Sequence, residues 1–237
     1  GHAAELAAVF VEPIMCVAGN IHQRDGFLER LREVTSRYGV LLVFDEVITG
    51  FRFARGGGAE YYGVAPDLLA LGKMLGGGLP IAAVAGRADV LGAEVMAGNT
   101  HSTNPICLAA SLASLAQLTP DVYTRTNALG ERLRDGLRST LYELGLHVQV
   151  TGDATNAGLH FTAEDVRDGE TGRRANAELV NLLKLGVMIG GINWSTRAFG
   201  ITAAFTDADI DRTLAVFRRA FIDMRPVVAT VEPALVQ

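Results

Sequence analysis

The segment VLLVFDEVITGFR, residues 40–52, opens with a near-continuous apolar run that ends in two adjacent acids, Asp45 and Glu46. A short run that is apolar on both faces is typical of a strand in a parallel sheet covered by helices. A helical pattern at 27–39 precedes it, and further strand-like runs surround it: AAVFVEP (7–13), DLLALGK (67–73) and IAAVAGR (81–87). The sequence therefore predicts an α/β fold with a mostly parallel sheet, whose ligands bind beyond the carboxyl ends of the strands.

The pattern changes after Asn104-Pro105. A helix to about residue 118 and a second helix over 120–144 are predicted first. Strand-like and helical stretches then alternate: VQVTG (148–152), AGLHFTA (157–163), a helix near 174–185, VMIGG (187–191), FGITAAF (199–205) and a helix beginning at Thr206. We expect two domains, residues 1–118 and a smaller α/β domain over 119–237.

Composition narrows the class of protein. The 237 residues are 49% apolar with a net charge of -5, which favours a soluble globular protein without affinity for nucleic acid or anionic membrane. The apolar stretch 68–85 contains a lysine, a proline and three glycines, so it is a poor membrane span. Cys16 and Cys107 have no metal-ligand spacing, so we predict no metal site, buried thiols and a cytoplasmic location.

Lysine is rare in this chain, which contains only Lys73 and Lys184. Lys184 lies in an amphipathic helical pattern, which indicates a solvated role. Lys73 follows an apolar run and precedes the glycine triplet 76–78, so we expect it to be mostly buried, where a neutral amine that can attack an aldehyde is favoured. A lysine that only extends to solvent from a strand end is the alternative. The glycines would permit close approach to a ligand or form only a loop.

The acids at the end of the 40–47 run should point to opposite faces of a strand. A carboxylate on a buried strand needs a cationic partner, and a protonated pyridine nitrogen would supply one for Asp45. A helix N-cap or an internal salt bridge would satisfy it equally well. Farther along, GNTHSTNP (98–105) offers hydroxyls and the first amides of a helix, a combination that suits phosphate.

Taken in order, four segments resemble the signature segments of class III pyridoxal-phosphate (PLP)-dependent aminotransferases, of the glutamate-1-semialdehyde 2,1-aminomutase type. They are EPIMCVAGNIHQRDGFLERLREV (12–34), VLLVFDEVITGFR (40–52), YYGVAPDLLALGKMLGGGLPIAAVAGR (61–87) and NTHSTNP (99–105). The resemblance implies the PLP-dependent transferase fold type I, with residues 1–118 as the C-terminal portion of the large PLP-binding domain. It also implies a homodimer and an aminotransferase that acts on small-molecule amino donors and oxo acceptors.

The same resemblance assigns roles to individual residues. Lys73 would be the catalytic lysine that holds PLP as a Schiff base and later moves a proton. Asp45 would pair with the pyridinium nitrogen, and Val47 would pack on the ring. Thr100 would reach the phosphate of the neighbouring subunit's cofactor, and Glu12 matches a position close to the site.

Two departures from the family's pattern leave alternatives open. Members normally carry a comparably long region before this start, so the resemblance implies that the N-terminal part is lacking and leaves a catalytically incomplete fragment as an alternative. Arg197 falls about where the aminomutases carry a glutamate. An arginine there would bind a substrate carboxylate, which favours an intermolecular aminotransferase, or would simply be a surface residue. An aminomutase, a racemase and a decarboxylase remain the other possible activities on this scaffold.

Overall fold

The computed structural model describes residues 3–92, 104–194 and 198–237. The backbone divides into two compact units. One contains Gly1–Ile14 and Gln23–Tyr123, and the other contains Met15–His22 and Thr124–Gln237. The boundary expected after residue 118 stays a prediction.

The first unit is built on a four-stranded sheet in the order β1-β2-β3-β4. Its strands are β1 (Ala8–Val11), β2 (Leu41–Glu46), β3 (Leu68–Leu71) and β4 (Ala83–Gly86). All four were predicted, and β1, β2 and β3 are parallel. β4 runs antiparallel to β3, against the expectation for residues 81–87. The connection over residues 72–82 is too short for the crossover that a parallel return requires.

Helices complete this unit: α1 (Phe27–Tyr38), α2 (Gly57–Tyr62), α3 (Ala88–Leu91), α4 (Pro105–Ala116) and the start of α5 (Pro120–Glu143). Leu28 of α1 packs with Leu42, Phe44 and Val64 in a buried cluster under the sheet. The predicted helices at 27–39 and after Asn104-Pro105 are confirmed, the latter capped by the Asn104 side chain. The six-residue α2 was not predicted, because GGAEYY contains two poor helix formers and is too short to show a period.

The second unit has an antiparallel sheet of β5 (Gln149–Thr151), β6 (Asn156–His160) and β7 (Ala198–Gly200). It also contains most of α5, with α6 (Gly169–Arg174), α7 (Ala177–Ile189) and α8 (Asp207–Val231). The predicted start of the last helix is confirmed, because Thr206 and Asp209 form a capping box. The strand predicted at 187–191 is wrong. Leu179, Leu183 and Val187 continue one helical face into the core, and α7 ends only at Ile189, with Gly190 as its C-cap.

Both thiols are buried and neither forms a disulfide, as predicted. Within the described ranges, no helix combines the length and the apolar character that crossing a membrane requires. Short 3-10 turns occupy Ala3–Glu5, Lys73–Gly76 and Pro233–Leu235.

Candidate active site

The carboxyl ends of β1, β2 and β3 lie along one edge of the first sheet. Asp45 pairs with Ala70 in the parallel register of β2 and β3, and β1 is paired with β2 as far as residue 11. Glu12 directly follows β1, Val47 directly follows β2, and Lys73 lies two positions beyond β3. Such edges are where open α/β sheets bind ligands. The fold therefore brings these four sequence-predicted residues to the same edge.

Asp45 is exposed near the end of β2, whose other residues are buried or, at Leu41, partly buried. Its Oδ1 accepts a hydrogen bond from the Val47 amide at 3.0 Å, which fixes the carboxylate against the turn that follows β2. No ion pair of Asp45 is present within the described residues, so the alternative of an internal salt bridge is not realised there. The carboxylate can therefore accept a hydrogen bond from a ligand.

Lys73 is exposed in this structure, and the expectation of burial was wrong for this chain. Burial of the apolar run ends at Gly72, whose backbone is extended. Lys73 then adopts a φ of 42°, in the left-handed region that non-glycine residues seldom occupy, and opens the 3-10 turn. That reversal turns the amine out of the strand. Backbone strain of this kind is concentrated at functional sites.

The side chain of Val47, which follows β2, packs beside Gly72, which follows β3. A Cβ placed on Gly72 would lie 3.5 Å from Val47 Cγ1, so the valine side chain packs directly beside the residue that precedes Lys73. Val47 is partly buried. An apolar side chain thus lies next to the backbone from which the lysine projects.

The glycine triplet has a packing role in this structure. A Cβ on Gly77, whose φ is 56°, would overlap the Ser114 side chain of α4. A Cβ on Gly76 would lie 3.0 Å from Ile81 Cγ2. Gly77 therefore lets the turn after Lys73 pack closely on α4, and Gly76 lets it pack on Ile81, a packing role that was not predicted.

Glu46 is a residue that sequence reasoning left without a role. It is completely buried, and its carboxylate accepts hydrogen bonds from Thr49 Oγ1 at 2.6 Å and from the Gly58 and Ala59 amides at 2.7 Å each. The two glycines at 57–58 were the feature of the sequence that could have indicated this contact, because glycines permit the backbone of a helix start to approach a carboxylate.

Among the described residues, Asp67 forms ion pairs with Arg32 and Arg87 just before β3, at the opposite edge of the sheet. Its carboxylate accepts from the Leu42 amide at 2.7 Å, from Arg32 at 2.8 Å and from Arg87 at 2.9 Å. Burial alone would raise the pKa of Asp67, but these three hydrogen bonds outweigh burial and lower the pKa below its usual value. Asp67 is thus a structural acid, unlike the exposed Asp45.

Thr100 and Arg197 lie outside the described residues, as does most of the predicted phosphate-binding loop. Among the described residues, no group of three or more His, Cys, Asp or Glu side chains could hold a metal ion.

The described residues at the sheet edge fit PLP. Lys73 offers an exposed amine for an aldehyde, Asp45 an exposed carboxylate for a protonated ring nitrogen, and Val47 an apolar side chain beside them. Asp45 lies near the end of β2, Val47 follows β2, and Lys73 follows the adjacent β3, which brings all three to the same edge.

The fold and the arrangement of these side chains define a class of enzyme, and comparison with known proteins identifies that class. Residues 2–221 match the family model described as aminotransferase class-III, and the chain belongs to that family. It is 37% identical over 228 residues to glutamate-1-semialdehyde 2,1-aminomutase 2 of Anoxybacillus flavithermus, a match that covers 93% of this chain and 53% of that protein. The chain thus spans about half the length of the curated relatives it matches.

Solved structures agree with this assignment. An omega-transaminase from Sphaerobacter thermophilus superposes with a TM-score of 0.88 and 32% identity over 94% of this chain and 53% of that one. A transaminase solved with PLP bound gives a TM-score of 0.85 at 25% identity, over 95% of this chain and 54% of that one. These matches confirm the predicted fold class, an α/β PLP-dependent transferase fold, and the family implies PLP as the cofactor.

Proposed function

We propose that this chain contributes the lysine and the ring-binding residues of a PLP-dependent aminotransferase. The activity moves an amino group between an amino acid or amine and an oxo acid or aldehyde. The observation that carries the proposal is the exposure of Lys73 and Asp45 at one sheet edge, with Val47 packed beside them. Family membership and the PLP-bound transaminase of the same fold support this cofactor.

Each of the three residues has a distinct task. PLP, when bound, supplies an electron sink for the negative charge that develops at the amine-bearing carbon of the substrate. Lys73 would hold the cofactor covalently, because a lysine amine can lose its proton and attack an aldehyde whereas an arginine cannot. Lys73 Nζ would later act as the base that takes the proton from the amine-bearing carbon of the substrate, and as the acid that gives this proton back. Asp45 would keep the ring nitrogen protonated, and Val47 would contact the ring face.

The remaining assignments follow from the resemblance. Glu12 would line the site, since it follows β1 at the same sheet edge. Thr100 would bind the phosphate of the cofactor in a neighbouring subunit, so the active form would be a homodimer, and we expect it in the cytoplasm. Arg197 would bind a substrate carboxylate through its guanidinium.

Amino-group transfer within one molecule is the second candidate. The aminomutase from Anoxybacillus flavithermus favours it, whereas the omega-transaminase from Sphaerobacter thermophilus favours transfer between two molecules. Arg197 favours transfer between two molecules, because a guanidinium suits the carboxylate of an amino acid or an oxo acid.

Borohydride reduction of the chain incubated with PLP tests the proposal. We expect a covalent product that mass spectrometry locates on Lys73 and that Lys73→Ala abolishes. Lys184→Ala is the matched control, because it removes the only other lysine, whose amine lies 5.7 Å from the Trp194 ring centre. Attachment at Lys184, or none in the wild type, would overturn the proposal for this chain.

A second assay separates the two modes of transfer. Glutamate 1-semialdehyde alone should be converted by an aminomutase. An amino donor labelled with ¹⁵N should pass its label to an added oxo acid if the transfer is intermolecular. Appearance of the label in the second molecule supports the main proposal, and conversion of the single substrate without such exchange supports the aminomutase.

A further inference from the structure

Glu46 lies next to Asp45 in the chain but on the buried side of β2. None of its surface is exposed to solvent, and both of its carboxylate oxygens are used. Oε2 accepts from Thr49 Oγ1 and from the Gly58 amide, and Oε1 accepts from the Ala59 amide. A buried carboxylate is tolerated only when hydrogen bonds replace its lost water, and amides at a helix start are favourable donors. The contacts of 2.6–2.7 Å meet that requirement.

Two glycines make these contacts possible. A Cβ on Gly57, whose φ is 69°, would overlap the Glu46 carboxylate. A Cβ on Gly58 would lie 2.9 Å from Pro13 Cβ and 3.4 Å from Glu46 Oε2. The start of α2 therefore packs against the ends of both β1 and β2. Glu46 is the side chain that ties this helix start to the sheet edge.

Glu46 also holds the turn that follows β2. Its backbone oxygen accepts from the Gly50 amide at 2.8 Å, while its carboxylate accepts from Thr49. A Cβ on Gly50 would lie 2.8 Å from Leu71 Cδ2, so this turn packs against the last residue of β3. The turn begins with Val47, whose amide donates to Asp45. Movement of Glu46 would therefore displace the residues on either side of it.

We propose that Glu46 is a positioning residue, whose buried carboxylate fixes the end of β2 and so aims Asp45 and Val47 toward the cofactor. The inference rests on the proposed function, in which those two residues hold PLP. Glu46 would do more than cap the start of α2, because it also holds the Thr49 hydroxyl and the 46–50 turn, which belong to the end of β2 rather than to the helix.

Glu46→Gln tests this inference with little change of shape. Both oxygens of Glu46 face donors, so the amide nitrogen of glutamine must oppose at least one of them. We expect the dissociation constant for PLP to rise about tenfold, as the loss of a hydrogen bond to a charged group implies. Hydrogen exchange of the buried Gly50 amide in the apo protein should accelerate by a similar factor.

Glu60→Gln is the matched control. The Glu60 carboxylate also accepts from a backbone amide beside α2, that of Gly56 at 2.5 Å, but it lies on the helix itself and is exposed. This variant should leave both the affinity for PLP and the exchange at Gly50 at the wild-type level. If Glu46→Gln fails to fold, Thr49→Val replaces it, since that change removes one donor and leaves the acid in place.

A double-mutant cycle separates positioning from general destabilisation. If Glu46 acts through Asp45, Glu46→Gln should cost little further affinity for PLP in an Asp45→Asn background. Equal losses in both backgrounds would overturn the inference. Faster exchange only at Gly58 and Ala59, with Gly50 unchanged, would also overturn it and make Glu46 a helix cap. If the wild-type chain binds no PLP, the proposed function fails, and exchange at Gly50 then decides on the positioning role alone.

Discussion

Asp45 and Glu46 are consecutive residues of β2 with opposite environments, since Asp45 is exposed at the sheet edge whereas Glu46 is completely buried. The alternation of side chains along a strand explains this division. One acid is accessible to a ligand, and the other is enclosed by donors from Thr49 and α2. The same dipeptide therefore supplies a candidate binding group and its structural support.

Asp45→Asn should weaken the binding of PLP while leaving the free energy of unfolding almost unchanged. Asparagine keeps an oxygen that accepts from the Val47 amide but loses the negative charge, so the free energy of unfolding should change by less than about 0.5 kcal/mol. The dissociation constant for PLP should rise at least about tenfold, because the partner of the ring nitrogen is no longer ionised. Thermal denaturation and PLP titration measure the two effects, with the exposed Asp25→Asn as a control. Unchanged affinity in Asp45→Asn would remove Asp45 from the site.

The sequence was sufficient to predict the strands of the first sheet and the sheet edge to which Asp45 and Lys73 come. Both follow apolar runs, and parallel strands bring their carboxyl ends together. Alternation predicted that Asp45 and Glu46 face opposite sides, but it left open which of them is buried. Gly57 and Gly58 decide that, because the start of α2 returns to the sheet beside Glu46. This long-range contact leaves no periodic pattern in the sequence.

Local patterns failed where tertiary packing decided the outcome. VMIGG resembles a strand because it is short, apolar and β-branched and ends in glycines, yet Val187 completes the buried face of α7. Lys73 was expected to be buried because its preceding run is apolar. Its left-handed backbone instead turns the side chain outward after Gly72. The turn that follows this reversal packs against α4 at Gly77, a long-range contact that the local sequence pattern does not reveal.

Lys73→Gly should be more stable than Lys73→Ala by about 1 kcal/mol, because glycine adopts a φ of 42° without the steric cost that alanine retains. Both variants lack the amine, so the comparison isolates the backbone. At Lys184, within α7, the order should reverse, with glycine about 1 kcal/mol less stable than alanine. Urea denaturation of the four variants measures these differences. Equal stability of the two variants at position 73 would show that the backbone there is unstrained.

Asp67→Asn should lower the free energy of unfolding by about 2 kcal/mol at neutral pH, because a buried carboxylate with two arginine partners loses its charge. The native pKa of Asp67 lies below 3.8, so the unfolded chain binds this proton more readily than the folded one. The stabilisation is therefore present above about pH 4 and is lost as the pH falls through the native pKa. Urea denaturation across this range should show the gap between wild type and variant narrowing in acid. A gap that is independent of pH would contradict this account.

The stabilisation that His22 contributes should depend on pH in the opposite direction to that of Asp67. The Nδ1 of His22 lies 2.9 Å from Asp153 Oδ2, and its Nε2 lies 3.0 Å from the Gly152 oxygen. The hydrogen bond to Asp153 raises the pKa of His22, although burial and Arg134 act against it. The folded protein therefore holds this proton more tightly than the unfolded chain, so the stabilisation is full below pH 6.5 and is lost as the pH rises through the native pKa.

The coupling energy between His22→Gln and Asp153→Asn measures this contribution. Because the pair is partly exposed, we expect no more than about 1 kcal/mol near pH 6, and a decline toward zero in alkali. Urea denaturation of the wild type, both single variants and the double variant at each pH completes the cycle. His22 belongs to the Met15–His22 segment, which Thr151 also anchors through a 2.6 Å hydrogen bond to the Gly19 oxygen, so the single variants should remain folded. A coupling energy that grows with pH would mean that the neutral imidazole, rather than its protonated form, stabilises this segment.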